Sequence, residues 1–166
     1  MKINFYGDVF GETGYASHCR GLLEGLHEAG HELKIESARP TDWERKVNDW
    51  QLKAFNTPFM PDGVSIAVTT PPFWNYYLSY KPKKFIGFLV WEGDKIPKSW
   101  IEHLLDERVS QVWVPSQHVK DAVLKTFYDN CYDSQFNKKT LQIFLNKIKI
   151  VPHGVKVNLE VFYPEK

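Results

Sequence analysis

The sequence predicts an α/β fold, a three-layer sandwich with a mostly parallel sheet and helices on both faces. Three observations predict it. Short apolar runs alternate with stretches of helical periodicity along the chain. The first forty residues read strand, glycine loop, helix, strand, which is a βαβ unit. Three loops follow strands, one around Gly7–Gly14, one at Trp91–Asp94 and one at His153–Gly154. In a parallel sheet these would gather at the carboxyl edge, where such folds bind ligands. The arrangement is Rossmann-like.

Each element has its own signal. Residues 3–6 are a short apolar strand, and the loop GDVFGETG follows it. Residues 15–29 carry Ala16, Cys19, Leu22, Leu23 and Leu26 at helical spacing, and Gly30 ends that helix. Residues 33–37 form a second strand. Residues 39–56 hold Trp43, Val47, Trp50 and Phe55 in a helical or irregular aromatic segment. VSIAVT at 64–69 is a third strand, broken by Pro71 and Pro72. FWNYYLSY at 73–80 reads as one or two helical turns, and KFIGFLVW at 84–91 as a buried strand. Pro97 opens a helix in which Ser99 and Glu102 would form a capping box. QVWV at 111–114 is the next strand, and Ser116 caps a helix carrying Val119, Ala122, Val123 and Phe127. Residues 128–140 read as a polar loop, 141–145 as a helical turn and 148–151 as a closing strand before PHGV.

Composition narrows the function. The 166 residues are 43% hydrophobic and 25% charged, enough for one domain with a real core. The 21 basic and 20 acidic residues leave a net charge of +1, without the basic excess that nucleic acid binding requires. Cys19 and Cys131 offer neither a disulfide framework nor metal-ligand spacing. No run is long enough to cross a membrane, and the amino terminus enters a strand directly, so a cytoplasmic protein with at most peripheral membrane contact is expected.

The candidate chemistry lies in the loops. Gly7, Gly11 and Gly14 let the backbone turn and approach a ligand, and the following helix offers N–H groups and a positive dipole end to an anion. The loop is neither the G-x-G-x-x-G dinucleotide fingerprint nor a P-loop, and the lesser alternative is a tight turn without a ligand. Asp8 is a cleft candidate or an Asx-type brace of that turn. Glu92 and Asp94 flank Gly93 at a strand end, where a carboxylate could orient or deprotonate a sugar hydroxyl, or cap the next helix. His153 could face the cleft or simply stand in a turn. His27 and His31 match H-E-x-x-H, but Gly30 separates them, so no metal is expected. The aromatic segment 73–80 could stack on a sugar or a partner, or serve as core.

Four ordered stretches, GDVFGETGYASHCRGLLEGLHEAGHEL, VWEGDKIPKSW, VWVPSQHVKDAV and VPHGVKVNLEVFYP, together resemble the N-terminal domain of GT-B fold glycosyltransferases of the retaining family 4 (group 1). The resemblance covers nearly the whole chain. It implies one half of a GT-B fold, with residues 1–155 as the acceptor-side domain and 156–166 as the start of an interdomain linker or a carboxyl-terminal tail. It implies transfer of a hexose from a nucleotide-sugar to a hydroxyl acceptor, a glycan, lipid or small molecule, without a cofactor or metal. In such an enzyme Gly11, Glu12, Thr13, Gly14 and Tyr15 would meet the donor diphosphate or sugar. Glu92 and Asp94 would serve the acceptor as catalytic residues, while Asp8, Trp91 and His153 would line the acceptor side of the cleft. Many relatives place a histidine where Trp91 and Glu92 stand. A donor-binding carboxyl-terminal domain, in cis or in trans, would be needed, and the isolated chain is expected to be inactive. The alternative is a non-catalytic glycan- or nucleotide-binding module, or a partner subunit.

Overall fold

The structure, a computed structural model, describes residues 1–38, 47–131 and 138–154. Trp43 and the expected linker or tail at 156–166 lie outside the described residues. The element order is β1 (Lys2–Gly7), α1 (Gly14–Glu28), β2 (Glu32–Ser37), α2 (Asp49–Asn56), β3 (Val64–Val68), α3 (Trp74–Leu78), β4 (Lys84–Phe88), α4 (Ile101–Leu105), β5 (Val109–Val114), α5 (Gln117–Cys131), α6 (Lys138–Lys147) and β6 (Ile148–Ile150). The strands form one six-stranded sheet in the order β2-β1-β3-β4-β5-β6. Every adjacent pair is parallel. The expected Rossmann-like three-layer sandwich is therefore present, and its described sheet is wholly rather than mostly parallel. From β1 the chain steps outward to β2, then returns across β1 to β3, so the strand order reverses there and opens a crevice at the carboxyl edge.

The period-two alternation of the strands sorts the core into two faces. Ile3, Phe5, Ile66, Val68, Ile86 and Phe88 point to one face, where Cys19 and Leu23 of α1 and Ala54 of α2 cover them. Tyr6, Ala67, Phe85, Val112 and Val114 point to the other, beneath α3, α4, α5 and α6. The aromatic segment divides in the same way. Trp74, Tyr77 and Leu78, at helical spacing, are buried, while Phe73, Tyr76 and Tyr80 are exposed.

Several boundaries differ from the sequence expectation. β4 ends at Phe88 rather than Trp91: the Leu89 N–H makes one last bond to β5, on the Trp113 carbonyl at 2.9 Å, and the chain then leaves the sheet. The residues after Pro97 start with a 3-10 turn, Lys98–Trp100, closed by the Trp100 N–H on the Pro97 carbonyl, so no Ser99 capping box forms. The polar stretch from 128 is helical as far as Cys131. Its Tyr128, Asp129 and Asn130 lie on the exposed face, while Phe127 stacks on Phe144 of α6 with ring centroids 4.7 Å apart. α6 itself is ten residues long rather than a single turn.

One glycine moulds the second face. Gly87 is at the centre of β4, and a Cβ there would fall inside the indole of Trp74. Trp74 has no exposed surface, and its Nε1 donates to the Thr69 carbonyl at 3.1 Å, so the ring has nowhere to retreat. Gly87→Ala should therefore destabilise the domain by about 2 kcal/mol through overpacking. Urea denaturation checks this. Gly14→Ala is the control and should be near neutral or slightly stabilising, since nothing lies within 4 Å of a Cβ at Gly14.

Candidate functional site

A cavity of about 780 Å³ opens at the carboxyl edge of the sheet. Its walls come from three separated stretches: Thr13 to Glu24 around the start of α1, Val90 and Glu92 after β4, and His153 and Gly154 after β6.

The glycine loop is built from within. The Asp8 carboxylate accepts from the Gly11 N–H at 2.9 Å, and a Cβ on Gly11 would run into that carboxylate. Asp8 is thus the Asx-type brace that the sequence allowed, and Gly11 is fixed by it. Arg20, one turn and a half into α1, donates to the carbonyls of Val9 and Gly11 at 3.0 and 2.8 Å and holds the loop from the outside. Gly7 lets the strand pass the Cys19 sulfur, which a Cβ would approach to 2.7 Å. Burial holds the Cys19 thiol up at about 12, so it is a neutral core group. Thr13 is the N-cap of α1, its hydroxyl accepting from the Ala16 N–H at 3.2 Å. Gly14 and Tyr15 then face the cavity. The Tyr15 hydroxyl donates to the Val90 carbonyl at 2.6 Å and ties this wall to the next, and burial pushes its pKa up to about 12. Glu12 is exposed on the loop.

The wall after β4 is clamped to α5. Thr126, buried, accepts from the Ile96 N–H at 2.9 Å. His118 Nε2 lies 3.2 Å from the Glu92 carbonyl, Lys125 pairs with Asp94 at 3.1 Å, and Lys95 pairs with Asp129 at 2.7 Å. The indole N–H of Trp91 donates to the Lys95 carbonyl, and its ring packs edge-on to Trp100. Of the two carboxylates, Glu92 lines the cavity. Asp94 stands outside that lining, and the Lys125 ammonium beside it holds its carboxyl below the usual carboxylate range. Trp91 likewise closes its own loop instead of lining the cavity.

The third wall contains a histidine pair. His153 Nδ1 lies 2.6 Å from His18 Nδ1, with the two rings at 81° and centroids 4.1 Å apart. His18 also packs T-shaped on Phe88, with ring centroids 4.6 Å apart, and its Nε2 is buried without a hydrogen-bond partner. Burial, and then the neighbouring His153, lower His18 to about 4, while burial lowers His153. The segment reaches α1 because the Val151 N–H extends the β5 pairing to the Val114 carbonyl, and Gly21 keeps the helix surface low opposite the Gly154 carbonyl.

His18 and Arg20 were not singled out in the sequence, although both stand in the first two turns of the helix that follows the glycine loop, at the carboxyl edge. The H-E-x-x-H match dissolves at the helix end. Gly30, at φ 74°, closes a Schellman turn in which the His31 N–H bonds to the Leu26 carbonyl. His27 stacks on Trp50 with centroids 4.2 Å apart, and His31 lies by the amino terminus. Among the described residues no group of three or more His, Cys, Asp or Glu could hold a metal ion, and no helix is long and apolar enough to cross a membrane. No protein-family model matches the chain, and a search of curated proteins finds no match.

The histidine pair gives the site a pH signature. Its ordinary pKa is near 6.5. Between that value and about 4 the unfolded chain binds a proton that folded His18 refuses. This contribution to stability is therefore complete above pH 6.5 and is lost as pH falls toward 4. Thermal melts between pH 4 and 7 should show the slope, and His18→Leu should reduce it.

Proposed function

We propose that the chain is the acceptor-side half of a GT-B glycosyltransferase that moves a hexose from a nucleotide-sugar to a hydroxyl acceptor, with the donor held mainly by a second domain in cis or in trans. The observation that carries this reading is convergence. Three of the four stretches that resemble family 4 enzymes, far apart in the chain, meet at one cavity on the carboxyl edge. In this reading the N–H groups at the start of α1 and the hydroxyls of Thr13 and Ser17 face the donor diphosphate and stabilise its developing charge as the sugar leaves. Glu92 is the carboxylate placed to orient the acceptor hydroxyl, and Asp94 fixes the loop that presents it. No metal enters the proposed reaction. The protein is cytoplasmic on this reading.

A second reading is favoured by a specific surface. Phe73 is 63% exposed and Tyr76 56%, and Tyr76 shares a hydroxyl contact of 2.8 Å with Tyr80. An aromatic platform of this kind suits a non-catalytic glycan-binding module or a docking subunit.

The tests separate the two. Titration with UDP- and GDP-sugars should perturb Gly14, Ser17 and His153 in the first case, and a glycan alone should perturb Phe73 and Tyr76 in the second. NMR or fluorescence reads both. Gly14→Leu should leave the unfolding free energy within about 0.5 kcal/mol of the parent, yet reduce turnover tenfold or more once the donor domain is supplied. A collapse of folding in that variant would make the loop a structural turn and sink the functional reading.

A further inference from the structure

The histidine pair fixes where one proton sits, and with it the role open to His153. Two neutral imidazoles whose Nδ1 atoms are 2.6 Å apart must place one hydrogen between them, since two lone pairs or two N–H groups would repel at that distance. Burial keeps both rings neutral near pH 7. The choice of owner is decided at the far end of His18. Its Nε2 is buried with no hydrogen-bond partner. A hydrogen on that nitrogen would be an orphaned buried donor. A bare lone pair there is the cheaper defect, since an unmade buried N–H is the rarer and costlier orphan.

We infer that His18 carries its hydrogen on Nδ1 and donates it to Nδ1 of His153, so that His153 presents a neutral Nε2–H donor to the cavity. Resting on the reading of the cavity as a ligand site, this makes His153 a hydrogen-bond donor to an acceptor oxygen of the ligand, such as a phosphate or sugar oxygen. His153 cannot then be a general base, because its second nitrogen has no lone pair to offer. A base role is then left to the carboxylates of the lining, Glu92 after β4 and Glu24 on α1. His18 has one nitrogen engaged and the other buried, offers a ligand no polar atom and acts as a positioning residue: the bond made by one ring nitrogen sets the protonation of the other.

Long-range proton–nitrogen correlation spectra of the histidine side chains, recorded on the full chain at pH 7, read the tautomers directly. The expected result is His18 protonated at Nδ1 and His153 at Nε2. The reverse order, or a hydrogen on Nε2 of His18, overturns the inference. His18→Gln keeps an N–H that can donate to His153 and should preserve the Nε2–H form, whereas His18→Leu removes the donor and should let His153 exchange between tautomers. An unchanged His153 spectrum in the leucine variant, with the fold intact by its amide spectrum, also overturns it. Titration with UDP, with the donor domain supplied, then tests the underlying reading by itself. A shift of the His153 Nε2 resonance is expected, and its absence with the tautomers as inferred would count against the nucleotide-sugar function and leave the proton order standing.

Discussion

Parallel pairing is the constraint from which the rest of the molecule follows. A parallel neighbour cannot be reached by a tight turn, so each strand must hand the chain to a crossover before the next can form. Six strands in register therefore send their carboxyl ends to one edge, whatever the connecting segments contain. Crossovers on both faces bury both sides of the sheet, and this is why strand residues of either parity are apolar. The cavity is the residue of this geometry. It forms where α1 starts, where β4 leaves the sheet and where β6 ends.

The walls are held by different means. The glycine loop is braced by a carboxylate and an arginine, both acting on backbone groups, so its shape does not depend on a ligand. The wall after β4 leans on α5 through one buried threonine and a ring of polar contacts. The wall after β6 rests on one backbone bond, from the Val151 N–H to the Val114 carbonyl, and on the packing of His153 against His18 and Phe88. The cavity is thus stiff on one side and held by few bonds on the other.

The layers of the fold were legible because they rest on periodicity. Ala16, Cys19 and Leu23 mark the buried stripe of α1, and Val119, Val123 and Phe127 that of α5, without reference to partners. The helix past residue 128 was hidden because Asn and Asp favour loops locally, while what supports it is tertiary: Phe127 stacks on Phe144 and Asp129 pairs with Lys95. In the site, the glycine loop and Glu92 could be placed from strand order alone. What separates Glu92 from Asp94 could not, since the division depends on Lys125, thirty-one residues on from Asp94. The pairing of His18 with His153 spans 135 residues and leaves no local signature. Gly11 and Gly14 look alike in the sequence, yet one is fixed by a carboxylate and the other is open to the cavity.

The loop bearing Glu92 combines two kinds of fastening with opposite responses to the medium. The ion pairs of Asp94 with Lys125 and of Lys95 with Asp129 are exposed and weaken as counterions accumulate. The Thr126 bond to the backbone of Ile96 is buried and indifferent to them. Ionic strength thus loosens the tip of this wall while its root stays in place, which makes salt an adjustable control on how tightly Glu92 is held.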